Sequence, residues 1–336
     1  MRILIVGAGA IGGVTAARMA RGGEDVTLLV HSAAMAERIR SHGLELTGIW
    51  GTDTVPLPAY HDPAELTGQF DCILLVTKAY DMPPAARALL PFLKEDGLAV
   101  SMQNGVCTDL LAEIVGRART AAAVITFSST NLGGGRLEVT GSGGFILGRA
   151  DGAITPRLQA LKAGLDKAAP TQLTDDILAQ QLSKLLINSG ITCGGAITGQ
   201  TLGHMLKTAA ARRFFIAVVR EDLAVTDAMG IRVPPFGGKL DYYRFCSGSG
   251  PLAVLRRHAT LFAVGLRYWN LTSSSLTSLR QGKPTEADYL NGYMARQGRA
   301  LGVPTPVNDA VVRLAHQIEA GEKQSSPANL REILGC

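Results

Sequence analysis

Three glycines at fixed spacing, set directly behind a short apolar run, constrain this chain more than any other feature. Arg2–Val6 (RILIV) reads as a buried strand. Gly7-Ala8-Gly9-Ala10-Ile11-Gly12 then matches Gly-x-Gly-x-x-Gly, and a helix-like run of small side chains, GGVTAARMARGG, follows. With 39 glycines in 336 residues the pattern alone arises by chance, so its context decides. A strand before it and a helix after it are the setting in which such a turn holds a dinucleotide. The first glycine permits the tight turn, the second lets the backbone approach a pyrophosphate, and the third lets helix and strand pack closely. The helix N-terminus offers the phosphates N–H groups and the positive end of its dipole. Gly7, Gly9, Ala10, Ile11 and Gly12 are therefore the expected cofactor contacts, the alternative being a bare strand-to-helix turn.

The next strand bears on which dinucleotide is held. NAD sites usually place Asp or Glu about 20 residues beyond the loop, on the ribose 2′-hydroxyl. Here DVTLLVHS ends on His31 and Ser32. Glu24 and Asp25 lie at the wrong end of the strand, and Arg38 and Arg40 follow. A missing carboxylate with basic neighbours suits a 2′-phosphate, so the expected cofactor is NADP, with His31 beside it.

Downstream, DVTLLV, FDCILLVTKAYD and LAVSMQNGV are near-continuous apolar strands separated by helix-like runs. That pattern belongs to a parallel sheet covered on both faces. Residues 44–58 alternate like an inserted β segment, and residues 121–148 (AAAVITFSSTNLGGGRLEVTGSGGFILG) read as antiparallel edge strands. After about Thr171 the period changes. DDILAQQLSKLLINSG, AAARRFFIAVVREDLAVTDAMG, PLAVLRRHATLFAVGL and PTEADYLNGYMARQGRALG carry apolar residues at helical spacing. Gly230 and Gly302 sit where helix C-caps belong, and residues 231–250, rich in Pro and Gly, read as a long loop. The expected architecture is a Rossmann-type α/β domain over residues 1–175, its parallel sheet covered by helices on both faces, followed by an all-α domain over residues 176–336.

Composition narrows the function classes. Hydrophobic residues make up 46% and charged residues 18%, a globular balance. No run reaches the roughly 18 apolar residues of a membrane span. The apolar stretch at the N-terminus is too short for a secretory signal, so a cytoplasmic protein without membrane association is expected. The net charge of +5 is not gathered into Lys/Arg clusters, and only 5% of residues are aromatic. That argues against nucleic acid and fits a small anionic ligand. Cys72, Cys107, Cys193, Cys246 and Cys336 are scattered with no CxxC pair, and no metal site is expected.

Several motifs together resemble one family, ketopantoate reductase (2-dehydropantoate 2-reductase). They are VTKAYD at 76–81, QNG at 103–105, KLLINSGIT at 184–192, SSSLTSLRQGKPTEADYLNG at 273–292 and GVPTPVN at 302–308. They span nearly the whole chain in the family's order. The resemblance implies a Rossmann domain followed by a helical domain, with the active site in the cleft between them. It also implies hydride delivery from NADPH to the carbonyl carbon of a 2-oxo acid, by default ketopantoate. Lys184 matches the family's catalytic lysine, the general acid whose ammonium bonds the ketone oxygen. Inside the apolar run LSKLLIN a lysine is costly and needs a reason. Asn188 matches a substrate-binding asparagine and lies four residues on, on the same helix face. Glu286 matches the active-site glutamate, although PTEAD also reads as a helix start with Thr285 and Asp288 at capping-box spacing. Ser274 matches a serine that bonds the substrate carboxylate, within a run of three serines whose register is open. Lys78 and Asn104 follow adjacent strands at the end where ligands sit, and the family uses them near nicotinamide and substrate.

Two positions depart from the family. Thr192 stands where it has a second asparagine, and Leu271 falls where it has another. Lysine and glutamate serve the generic reduction whereas the asparagines contact the particular acid, so a different 2-oxo or 3-oxo acid is the alternative substrate. A non-catalytic NADP-binding sensor is the alternative class. Family members occur as monomers or dimers, and the apolar helical half could carry a homodimer interface.

Overall fold

The structure, a computed structural model, describes residues 1–238 and 240–335. The chain divides into two compact units: Met1–Gln103 with Cys107–Leu178, and Asn104–Val106 with the chain from Ala179 onward.

In the first unit, strands and helices alternate: β1 (Arg2–Val6), α1 (Ala10–Arg21), β2 (Asp25–Leu29), α2 (Ala33–His42), β3 (Leu44–Gly48), β4 (Asp53–Val55), β5 (Ala59–Tyr60), β6 (Phe70–Leu75), α3 (Met82–Leu89), β7 (Leu93–Ser101), α4 (Thr108–Val115), β8 (Thr120–Ile125), β9 (Ser128–Gly133), β10 (Arg136–Gly141), β11 (Phe145–Arg149), α5 (Pro156–Asp166) and β12 (Thr171–Leu173). Eight strands form one sheet in the order β12-β11-β8-β7-β6-β1-β2-β5. Every neighbouring pair is parallel except β8 with β11. β1 has β2 on one side and β6 on the other, so the strand order reverses at β1, and the glycine turn leaves from its C-terminal end. That reversal is where open α/β sheets bind ligands. Ile3 to Val6 and the residues of β6 from Cys72 on are buried, as continuous apolar strands covered on both faces must be.

β3, β4, β9 and β10 build a second, four-stranded sheet in the order β4-β3-β10-β9. The segment 121–148 does pair antiparallel, β8 with β11 and β9 with β10, but of these strands only β9 lies at a sheet edge. β8 runs parallel to β7 inside the large sheet, with all six of its residues buried, and only β9 and β10 pair outside it. The physical sign was present: AAAVI is continuously apolar, as interior strands are. The small sheet rests on α1, whose Gly13 approaches Leu137 and whose Ala10 carbonyl accepts a bond from Ser129 Oγ at 2.8 Å.

The second unit is helical: α6 (Ile177–Thr198), α7 (Leu202–Leu206), α8 (Ala209–Ala228), α9 (Tyr242–Cys246), α10 (Pro251–Arg267), α11 (Ser274–Arg280), α12 (Asn291–Leu301), α13 (Pro306–Glu319) and α14 (Asn329–Leu334). Sheet followed by helices is the architecture expected. Two local readings need correction. Residues 231–250 are not one long loop: Asp241 caps α9, accepting from Arg244 N at 3.0 Å, and the buried Tyr242 hydroxyl donates to the Ser183 carbonyl. Lys239, inside that segment, lies outside the described residues. The helix expected from PTEAD starts only at Asn291, because Leu290 at φ −105, ψ −96 interrupts it. No Thr285–Asp288 capping box forms. Thr285 Oγ1 instead accepts from Ala287 N, and Asp288 pairs with His316 at 3.0 Å. Among the described residues no helix is long and apolar enough to cross a membrane, and no three His, Cys, Asp or Glu side chains gather as metal ligands.

Candidate active site

In the first unit the glycine turn has the stereochemistry of a cradle. Gly7 has φ +106, and a Cβ there would stand 3.0 Å from the Val76 carbonyl oxygen. A Cβ on Gly12 would stand 2.0 Å from the Gly7 carbonyl oxygen, so only glycine lets α1 begin this close to β1. At Gly9, by contrast, nothing lies within 4 Å of where a Cβ would be, and no side chain caps the helix. Ala10, Ile11 and Gly12 open α1, where backbone N–H groups have no acceptor within the helix. Backbone donors facing open space are what a pyrophosphate requires, and the residues present fit one.

His31 is exposed two residues beyond β2, and Ser32 is spent as the N-cap of α2, accepting from Met35 N at 3.3 Å. The arginines of α2 are already engaged: Arg38 pairs with Glu45 at 2.5 Å and Arg40 with Glu37 at 2.6 Å. Of the basic groups expected near a 2′-phosphate, His31 is the one left outside such a pair. Lys78 is half-buried three residues beyond β6. The exits of β6 and β7 are tied together by Gln103, whose Nε2 donates to the carbonyls of Leu75 and Thr77 at 2.8 and 3.2 Å.

The second unit gathers the expected substrate-side residues. Lys184 and Asn188 lie one turn apart on α6, and Asn188 Nδ2 donates to Asn104 Oδ1 at 3.3 Å. Gly105, at φ +84, backs onto the turn at Ala287–Tyr289: a Cβ there would stand 2.4 Å from the Tyr289 carbonyl oxygen. Asn104 is thereby pinned between α6 and the turn that carries Glu286. Lys184 as a whole keeps partial exposure, yet desolvation of its ammonium lowers its pKa from 10.5 to about 8. A lysine so placed is still largely protonated at neutral pH but gives up its proton far more readily than a solvated one.

Glu286 is only 4% exposed. Its segment is anchored by Glu319 at the end of α13, which accepts from Thr285 N at 2.8 Å. The carboxylate lies near α6: burial raises the Cys193 thiol, and the charge of Glu286 raises it further. The serine run resolves into three different roles. Ser273 caps α11 and donates to the Thr192 carbonyl at 2.9 Å. Ser274 is exposed, and the Ser275 hydroxyl is buried without a partner. Thr192 is buried, whereas Leu271 is 42% exposed.

A buried polar network beside these residues escaped the sequence reading. Asp222 on α8 has no exposed surface, and its Oδ1 accepts from Asn308 Nδ2 at 3.0 Å. The same amide donates to Glu221 Oε2 at 2.9 Å, and Asn308 Oδ1 accepts from Asn291 Nδ2 at 2.8 Å. Burial pushes the Asp222 carboxyl well above the usual carboxylate range and raises Glu221 too. The available signal was phase: Asp222 stands four residues after Val218 and seven after Phe215, on the apolar face of its helix.

A glycine turn at the strand-order reversal of a parallel sheet is the architecture of dinucleotide-binding proteins. Comparison with known proteins agrees. Residues 3–152 match the family model "Ketopantoate reductase PanE/ApbA", and residues 176–319 match its C-terminal counterpart. The chain belongs to the ketopantoate reductase family. It is similar to the 2-dehydropantoate 2-reductase of Mesorhizobium japonicum, with 28% identity over 95% of this chain and 98% of that one. A crystal structure of a PanE/ApbA family ketopantoate reductase from Ralstonia eutropha superposes with a TM-score of 0.80 at 27% identity, covering 96% of this chain and 99% of the other. The fold is shared equally by a D-mandelate dehydrogenase solved with NADH and anilino(oxo)acetate, at TM-score 0.80 and 22% identity, covering 96% and 99%.

Proposed function

We propose that this protein reduces a 2-oxo acid to the 2-hydroxy acid with NADPH, 2-dehydropantoate to pantoate being the leading reaction. When bound, the reduced dinucleotide supplies the hydride. Gly7, Gly9 and the first N–H groups of α1 hold its pyrophosphate, and His31 favours the 2′-phosphate. Lys184 hydrogen-bonds the ketone oxygen and donates a proton as that oxygen becomes an alkoxide. Asn188 and Asn104, already bonded to each other, orient the acid, and Ser274 offers its exposed hydroxyl to the carboxylate. Glu286 holds the lysine or the substrate in register. The observation that carries this reading is the Lys184 ammonium, with a pKa of about 8, one turn from the Asn188–Asn104 pair.

A second substrate reading has its own support. Neither Thr192, buried with its carbonyl bonded to Ser273, nor the exposed Leu271 offers the amide the family has there. A 2-oxo or 3-oxo acid with fewer polar groups suits that wall better than ketopantoate does. Titration with NADPH and NADH, followed by loss of nicotinamide absorbance over a panel of oxo acids, tests both. Turnover fastest on ketopantoate with NADPH is expected. Turnover only on other acids transfers the activity to them, and binding without turnover on any acid makes the protein a sensor.

A further inference from the structure

Glu286 stands outside any helical repeat. Its φ of −105 and ψ of 27 place it in the sparsely used region between strand and helix, and α12 begins only at Asn291. Its carbonyl accepts from Tyr289 N and Leu290 N at 3.0 and 3.1 Å, which closes a single turn. One turn on its own is marginal, because it fixes several dihedrals for few bonds. Bonds from other elements must therefore set the direction of this buried side chain.

Those bonds come chiefly from α13. One oxygen, Glu319 Oε1, accepts from Thr285 N at 2.8 Å and from Thr285 Oγ1 at 2.5 Å. The Thr285 hydroxyl oxygen accepts in turn from Ala287 N at 3.2 Å. The residues on either side of Glu286 thus hang from one carboxylate, and bonds to a charged acceptor are the strong ones. One turn back on α13, His316 pairs with Asp288 at 3.0 Å, but both side chains are more than half exposed and such a pair contributes little. Thr285 is buried, whereas Glu319 is exposed at the last residue of its helix. A carboxylate is disfavoured at that end, where the helix dipole is negative. Neither the core nor the helix calls for a glutamate at 319; the Thr285 donors do.

We infer that Glu319 is a positioning residue: through Thr285 it fixes the backbone on both sides of Glu286 and so aims that carboxylate. This role rests on the reading above, in which Glu286 serves the reduction. The oxygen and the charge of Glu319 are separable. Glu319→Gln keeps the oxygen and loses the charge, Glu319→Asp keeps the charge and draws the oxygen back by one methylene, and Glu319→Ala loses both. With the oxo acid that is turned over fastest, Glu319→Ala and Glu319→Asp should lower kcat/KM about 30-fold, the scale of a displacement somewhat under about 1 Å, while Glu319→Gln stays within about threefold of the parent. The Kd for NADPH should move less than about twofold in all three. Position 319 is exposed, so circular dichroism of the variants should match the parent. Glu286→Ala should lose about 100-fold by itself, and adding Glu319→Ala to it should cost less than about twofold more, because one residue acts through the other. Amide hydrogen exchange needs no turnover: residues 285 and 287 should exchange at least about tenfold faster in Glu319→Ala and at the parent's rate in Glu319→Gln. Glu319→Gln as poor as Glu319→Ala would mean that the charge acts rather than the oxygen. Losses that multiply in the double variant would mean that Glu319 acts apart from Glu286, and unchanged exchange would mean that it does not hold the segment. Each of these overturns the assignment. A Glu286→Ala variant at full activity would remove Glu286 from the reaction as well, whereas a loss there with none in Glu319→Ala overturns the positioning role alone.

Discussion

The two units present their functional groups by different means. In the first, the proposed contacts are mainly backbone: a glycine turn at the end of β1 and the opening N–H groups of α1. In the second, the proposed contacts are side chains, of which Asn188 is bonded to Asn104 and Glu286 is buried in a segment anchored by Glu319. Backbone donors carry no titratable proton and need only the correct φ and the absence of Cβ atoms. Buried side chains carry charge, and their environment sets it. The glycine turn of the first unit should therefore respond to added volume and be indifferent to pH. The second should respond to lost chemistry and depend on pH.

The largest expected effect tests the second half of that contrast. Lys184→Ala should lower kcat about 10³-fold, the scale of a missing general acid, while the dissociation constant for NADPH moves less than about threefold. Comparable losses in both would place the lysine in cofactor binding. The same residue sets the pH dependence. Its proton is half lost at about pH 8, so reduction should be level below that and fall about tenfold per unit above it. Stability moves the other way. The unfolded chain holds this proton up to about pH 10.4 and the folded chain only to about 8, so the cost of burying the charge fades as pH rises through that window.

Volume is the test for the first unit. Gly12→Ala puts a methyl 2.0 Å from the Gly7 carbonyl oxygen, which forces α1 away from β1. Affinity for NADPH, by fluorescence titration, should fall about 100-fold, with the same deficit at every pH from 6 to 9. A deficit that varies with pH would break the contrast.

This division also explains what the sequence disclosed. The turn at Gly7–Gly12 is legible because all its determinants lie within a few residues. The strands around it are legible because burial on both faces leaves them continuously apolar. Lys184 stands out as a charge inside LSKLLIN, but only the fold supplies its desolvation and the Asn188–Asn104 bond. The start of α12 was misread because Leu290 breaks a run whose period is helical, under tertiary control from Glu319 and Gly105. The pairing of Arg38 was invisible because Glu45 reaches across from β3, whereas Glu37 and Arg40 stand three residues apart on α2 itself. The role of Asp222 was hidden because its partner, Asn308, is 86 residues away.

That partner gives the smallest and most discriminating test. Asn308 Nδ2 serves two acids at once, Glu221 and Asp222, and Asn308 Oδ1 takes the amide of Asn291 at the first residue of α12. Asn308→Ala takes this partner from the fully buried Asp222 and Asn291, while Glu221 keeps the backbone N–H groups of Val307 and residue 308, and should cost about 2 kcal/mol in denaturant unfolding. Asp222→Asn should cost less than about 1 kcal/mol at pH 7. Burial raises the Asp222 carboxyl well above its ordinary range, and an amide matches a protonated acid in shape and neutrality. If the acid is neutral, the asparagine variant should also lose the parent's fall in stability as pH rises above about 4, where the unfolded chain has released a proton that the folded chain still holds. A large loss for Asp222→Asn at pH 7 would mean that the second unit is built around a buried charge. Its sensitivity to pH would then arise from Asp222 as well as from Lys184.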